Sequence, residues 1–279
     1  MLAFIAYFDI LGFKEFISNN DKAYVDHHIN HIYRESQHAV CKGHTIQRPN
    51  ATLLPDFNFA EVNCLHISDS ILFWTESATQ EEFLGLVEVC YKFLFTCLHA
   101  SFPVRGCLVA GDIEYRPLHI VNAQGKRFDN STLYGRGLID AYEKAEAQDW
   151  AGCYVDQSVF DLKVKDENGN DTPERIISEQ TVNTLIYNYR LIYYPVPFKD
   201  GFQSYEHAFR HISQAINNVH LRNLAMTYTK TFNRHMNGKE LSQGAKRKLF
   251  NTIKFLEAVR MTTEEMVGEP VQQAPSSAT

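Results

Sequence analysis

The chain has 279 residues, 44% of them apolar, and a formal net charge of −6. That length suits one large domain, or a domain with an appendage, and the apolar content supplies a real core. With that acidic balance, composition indicates no nucleic-acid surface, while leaving room for a local positive pocket, and no run approaches the 18 apolar residues of a membrane span.

Six cysteines, Cys41, Cys64, Cys90, Cys97, Cys107 and Cys153, form no C-x-x-C pair. They read as buried thiols rather than a zinc or redox motif. Residues 2–8 are apolar but lack a basic flank and are too few for a signal peptide. The expected location is the cytoplasm.

In chain order, residues 4–8 predict a buried strand that ends at Asp9, and Gly12 permits a tight bend. Residues 14–40 predict one long helix with Phe16, Ile17, Val25, Ile29 and Ile32 recurring at helical spacing. His27 and His31 within it lie one turn apart; without an H-E-x-x-H pattern they read as a solvated face. Residues 41–57, with Pro49 and Pro55, predict a loop. Residues 59–65 and 70–74 predict a hairpin turning at 66–69. Thr79 and Glu82 read as a capping box that opens a helix to Ala100, with Phe83, Leu84, Val87, Cys90, Phe93 and Leu94 inward.

Residues 104–115 predict an extended run in which Gly106 and Gly111 mark crowded backbone. Residues 116–122 predict a returning strand, 124–131 a loop, 134–148 a helix, 150–155 a strand and 157–162 a short helix. Residues 163–172 read as a surface loop and 185–196 as a strand or strand pair. From Ser204 the pattern turns helical, over 208–228, 228–236 and 241–259. We expect residues 1–200 to form the main domain, 201–262 a helical appendage that covers a partner or steadies a dimer, and 263–279 a disordered tail. The element order suits a mixed sheet with helices on one face.

Two acids stand out. Asp9 closes one apolar strand and Asp69 sits inside another apolar run. A carboxylate so placed needs water, a partner or a cation. Side by side, the pair would hold a divalent metal. The plainer readings are a helix cap for Asp9 and an Asx-turn for Asp69. No Walker A run exists, which excludes a P-loop. The backbone N–H groups of residues 10–13 open a helix and suit phosphate oxygens.

FDILGF at residues 8–13 resembles the first metal motif of the class III nucleotidyl cyclases, with Asp9, Gly12 and Phe13 matching. SDS at 68–70 is similar to their second metal motif, with Ser68 in place of glycine. RGCLVAGDI at 105–113 resembles their fourth strand, and YGRGLIDAYEKAEAQ at 134–148 the glycine-led helix that follows. The resemblance covers residues 1–160. It is nearest to the bacterial pyrimidine nucleotide cyclases of antiphage defence, on chain length, the early start of the domain, the helical end and the strip Gly135, Leu138, Ala141, Tyr142 and, one position off, Ala145 and Glu146.

The resemblance implies an α/β (α+β) fold: a ferredoxin-like mixed sheet with helices, plus the helical C-terminal region. It implies cyclisation of UTP, or alternatively CTP, to a 3',5'-cyclic nucleotide and pyrophosphate as an antiviral second messenger. Two divalent ions, Mn²⁺ or Mg²⁺, would be held by Asp9, Asp69 and the Ile10 carbonyl, and phosphates by the backbone of Phe8, Ile10, Leu11, Gly12 and Phe13. A head-to-tail homodimer and a separate effector responding to the cyclic nucleotide are implied too, with neither nucleic acid nor membrane as partner.

The sequence departs from the family at the purine-reading positions, which carry Leu65 and Thr132, and at the transition-state positions, which carry Ile139 and Glu143. The phosphate cation is left open among Arg105, Arg127, Arg136 and Lys144, with Arg105 the catalytic candidate or else an ion pair at the sheet. Base and ribose candidates are Tyr33, Asn63, His66 and Thr132. Two rivals stand beside cyclisation: a cyclase-fold module that binds nucleotide or protein without turnover, and another metal-dependent phosphoryl enzyme.

Overall fold

The structure is a computed structural model that describes the backbone of all residues except 49–52, 130, 211, 213–216 and 269–279. The chain opens with β1 (Leu2–Ile10), α1 (Phe13–Asn19) and α2 (Lys22–Val40), then β2 (Thr45–Gln47), β3 (Leu53–Pro55), β4 (Asn63–Ile67) and β5 (Ser70–Trp74). Next come α3 (Gln80–Ala100), β6 (Val104–Asp112), β7 (Glu114–Arg116), β8 (His119–Val121), β9 (Arg127–Asp129), β10 (Thr132–Tyr134), α4 (Arg136–Ala147), β11 (Cys153–Val155) and α5 (Gln157–Phe160). The chain continues with β12 (Lys163–Lys165), β13 (Asp171–Arg175), α6 (Glu179–Tyr187), β14 (Leu191–Pro197) and β15 (Gln203–Phe209), and ends with α7 (Asn218–Asn233) and α8 (Gln243–Gly268).

Seven strands form one mixed sheet in the order β14-β15-β11-β6-β1-β5-β4. β1 lies near its centre, antiparallel to both β6 and β5, while β6 and β11 run parallel. An apolar run buried on both faces belongs in that central place. Side chains alternate between faces along a strand. Phe4 and Phe8 therefore share one face and meet α3 through Phe83 and Phe93, with ring centroids 5.4 and 5.1 Å apart. Tyr7 takes the other face and meets Tyr142 of α4 at 5.5 Å. Helices thus cover both faces, which corrects the one-face expectation. At Gly111 a Cβ would stand 2.6 Å from the Gly137 Cα, so the glycine pair is what lets α4 lie so close to β6.

Several elements differ from the sequence reading. The expected single helix over 14–40 breaks at Asn20, and Asp21 restarts it by accepting the Tyr24 N–H. Thr79 caps α3, but the Glu82 carboxylate reaches back to Ser77 rather than to Thr79. Leu84 is exposed instead of inward. α3 is also long and apolar enough to cross a bilayer by length and composition, although charged residues interrupt it, and most of it is buried inside the fold. Within 41–57, expected as a loop, β2 pairs with β3, and β12, in the loop expected over 163–172, pairs with β13, which runs on to Arg175. Residues 119–129 close on themselves as a hairpin rather than returning to the main sheet.

β15 lies where a helical pattern was expected, and it joins the main sheet. α7 and α8 then pack on the rest. Thr231 donates to the Leu98 carbonyl at 3.0 Å, the Ala151 N–H donates to Thr252 at 2.9 Å, and Phe255 meets Trp150 and Tyr194 at 4.8 Å each. Of the expected tail, backbone through Gly268 belongs to α8; 269–279 lie outside the described residues.

Candidate active site

Asp9 lies within β1, one residue before its end, on the α4 side of the sheet. Its register partners are Ser70 on one side and Arg105 on the other. Asp69 occupies the β4–β5 turn, where Ser68 adopts a left-handed backbone (φ 57°). The Ile10 N–H donates to the Asp69 carbonyl at 3.0 Å, so the turn is tied to the residue after Asp9. The two acids are brought together as their sequence context suggested.

Arg105 is buried and donates to Asp9 Oδ2 through Nε at 3.0 Å and through Nη2 at 2.9 Å. It also pairs with the Glu146 carboxylate and donates to the Glu146 carbonyl at 3.1 Å. Lys199 pairs with the other side of Glu146 at 2.9 Å. Tyr7 and Ser70 share a 2.6 Å hydroxyl hydrogen bond beside the acids. Burial, more than anything else, pushes the Asp9 carboxyl above its ordinary value; Arg105 opposes this and the Asp69 charge adds to it. Lys199 is pulled below its ordinary value, first by desolvation and then by Arg105, with Asp9 opposing.

The other sequence candidates scatter, for reasons the topology makes plain. His66 pairs in register with Ile71, on the α3 side of the sheet, and its ring lies 4.4 Å from Tyr33 of α2. Those two base candidates therefore meet each other on the face opposite Asp9. Asn63 shares the face of Asp9 but lies four residues, about 13 Å, along β4 from the Asp69 turn. Thr132 is exposed on β10, which pairs only with β7, beyond Asp112 and hence at the far end of β1 from Asp9. Arg127 belongs to the outer β8–β9 hairpin. Arg136 is exposed and bonded to Asp140 at 3.0 Å, and Lys144 turns to Asp156 at 2.5 Å. Of the four cations, Arg105 alone pairs with Asp9.

The proposed phosphate cradle is also smaller than expected. Phe8 is a core side chain against Phe73 and Phe93. The Ile10 and Leu11 N–H groups already donate to the Asp69 and Pro103 carbonyls. Gly12, left-handed at φ 77°, precedes α1 with no side-chain cap, and the N–H groups of Gly12 and Phe13 form no backbone hydrogen bond among the described residues. Glu146 and Lys199 were missed as site residues. Glu146 stood at the end of the α4 strip, but nothing in sequence pointed to Lys199, which arrives from the β14–β15 turn.

Among the described residues, no group of three or more His, Cys, Asp and Glu side chains converges as a metal cage. Magnesium-like ions do not need one: they bind through one or two carboxylates, waters and substrate phosphates. The mutual repulsion between Asp9 and Asp69 is what such an ion relieves. The donor set fits cations shared with a polyphosphate and not a closed structural site.

No family model and no curated protein matches the chain. Among solved structures, similarity is found to the catalytic core of a rhodopsin-guanylyl cyclase with converted specificity in complex with ATPαS, at 13% identity and a TM-score of 0.46, covering 75% of this chain and 96% of that one. A bacterial light-regulated adenylyl cyclase is similar at 8% identity and a TM-score of 0.38, covering 82% of this chain and 57% of that one. Likenesses this distant assign neither substrate nor residue role.

Proposed function

We propose that the chain is a metal-dependent nucleotidyl cyclase acting on a pyrimidine ribonucleoside triphosphate, UTP before CTP. The observation that supports this best is the convergence of Asp9 and Asp69, with Arg105 on Asp9, at the strand end the sequence motifs marked. In the reaction the ribose 3'-oxygen forms a bond to the α-phosphorus, the bond from that phosphorus to the bridging oxygen breaks, and pyrophosphate leaves with the electron pair. Two divalent cations on Asp9, Asp69 and the Ile10 carbonyl would supply charge neutralisation and ease loss of the hydroxyl proton. Through the cations they would hold, Asp9 and Asp69 would orient the anionic end of the substrate. Arg105 holds the Asp9 carboxylate in place and opposes the effect of burial on its charge. Gly12 and Phe13 offer N–H groups to phosphate oxygens.

The reading extends to a cytoplasmic head-to-tail homodimer whose cyclic product reaches a separate effector in antiviral defence. Residues 1–200 would be its catalytic part. One observation favours a second reading, a nucleotide-binding module without turnover: the Arg105 guanidinium is already engaged by two carboxylates. Incubation with Mn²⁺ and each of UTP, CTP, ATP and GTP, with products identified by mass, separates the readings. Cyclic UMP or cyclic CMP is expected, and Asp9→Ala or Asp69→Ala should lower its yield by about a hundredfold or more while the fold persists by circular dichroism. Undiminished product from either variant overturns the assignment.

A further inference from the structure

The C-terminal helices do more than pack on the sheet. Between the end of α7, the start of α8 and the turn after β1 lies a cavity of about 530 Å³. Pockets for small organic ligands run from about 300 to 1,000 Å³. Its lining is mostly apolar, with Phe16, Phe102, Phe232, Met236 and Leu241 among the walls. Two glycines also face it. Cβ atoms at Gly12 and Gly244 would meet nothing within 4 Å.

One charge at the wall is paired only at a distance, with no hydrogen bond to its carboxylate. Lys248 has only 18% of its side chain exposed, and its nearest carboxylate oxygen, on Asp149, is 3.8 Å away. That is too far for a hydrogen bond. Asp149 is meanwhile held by Arg247 and by Asn251. A largely buried ammonium with three donors gains most from an acceptor brought by a ligand. The other charged groups lining the cavity are exposed: Lys239 donates to Asn19 at 2.6 Å, Glu240 pairs with Lys246 at 3.0 Å, and the remaining one is Glu15. Two carboxylates there disfavour a polyanion, so nucleoside di- and triphosphates are poor candidates.

We propose that this cavity is a binding site for a small amphipathic monoanion, an aromatic or aliphatic body with a single carboxylate or sulfonate that meets Lys248. Its wall includes Leu11 and Gly12, two and three residues after Asp9, so an occupant touches the turn that leads from the acidic pair. The site stands independently of the cyclase reading.

The probe is 8-anilinonaphthalene-1-sulfonate, followed by fluorescence on the full chain, with neutral N-phenyl-1-naphthylamine as the uncharged comparison. The wild type should bind the sulfonate saturably at one site. Gly244→Phe adds a ring into open space and should weaken both probes at least tenfold. Lys248→Met keeps the apolar stem and should weaken the sulfonate about tenfold while leaving the neutral probe unchanged. Thermal melts at the wild-type midpoint establish that both variants fold; should Gly244→Phe not fold, Ala245→Leu at the same wall replaces it. Equal binding of both probes by the filled variant overturns the site, and unchanged sulfonate affinity in Lys248→Met overturns its preference for an anion.

Discussion

Asp9 places a carboxyl where burial works against its charge. Its folded pKa lies above the ordinary carboxylate value because burial comes first and Asp69 adds to it. A raised acid pKa means that Asp9 contributes stability below the ordinary carboxylate pKa, and that this contribution is lost as pH rises through the folded value. Burial thus works against the charged form of the side chain, and a cation beside it would favour that form. Asp9→Asn keeps the shape and an acceptor for Arg105, and should raise the melting midpoint at pH 7, by roughly 2–4 °C for each kcal/mol relieved. The gain should shrink towards pH 4. Mn²⁺ should raise the midpoint of the wild type more than that of the variant. A variant that melts below the wild type at pH 7 would show that the Arg105 pairing outweighs burial. The acids were legible in sequence because a carboxylate in an apolar run is conspicuous. Glu146, which pairs with Arg105, and Lys199, which pairs with Glu146, were not, because they are set by how α4 and the β14–β15 turn fold back onto β6.

At the scale of elements, legibility followed periodicity. Strand β1, helix α3 and helix α4 announce themselves by apolar spacing, and the glycine pair that lets α4 approach β6 was half visible at Gly111. What the pattern did not carry was the side of the sheet. His66 and Asp69 are three residues apart, yet His66 is directed to α2, and only the pairing with Ile71 reveals it. β15 was missed because QSYEHAF alternates weakly, and its place comes from pairing with β14 and β11. The docking of the link after α7 against α1 and α2 was hidden as well, since it rests on His235 among Phe16, Phe102, Tyr24 and His28. Burial pulls the His235 imidazole down to about 4, with His28 and Arg234 adding to the effect and the Ser101 carbonyl opposing it. A base with a depressed folded pKa keeps its full contribution above its unfolded value near 6.5 and loses it as pH falls towards 4. After solvent screening that loss is about 2 kcal/mol. His235→Phe should flatten the acid limb of stability against pH, measured as urea midpoints from pH 7 to pH 4. An unchanged limb would place the acid sensitivity elsewhere.

Across the whole molecule, the helical end is tied to the sheet through buried polar and aromatic contacts. Asp149 is a buried carboxylate in the link between α4 and β11, and its cations, Arg247 and Lys248, both come from α8. Asn251, also from α8, donates to the Asp149 carbonyl at 2.7 Å, and Thr252 accepts the buried Ala151 N–H. Phe255 closes over Trp150 and Tyr194, two of the large side chains beneath β14. Removing α8 would strand a buried charge, which costs about 3–5 kcal/mol, and would open an aromatic cluster to water besides. That total approaches the whole stability of an ordinary domain, about 5–15 kcal/mol. The last turn of α4 and this link carry the Glu146 and Gln148 carbonyls that accept from Arg105, so the surroundings of Asp9 are joined to the far end of the chain. Calorimetry of the full chain should show one unfolding transition, and a chain ending at Gly238 should lack fixed tertiary packing by near-ultraviolet circular dichroism. A truncated chain that melts cooperatively with native aromatic signals would establish α8 as a separable appendage, as its sequence had implied.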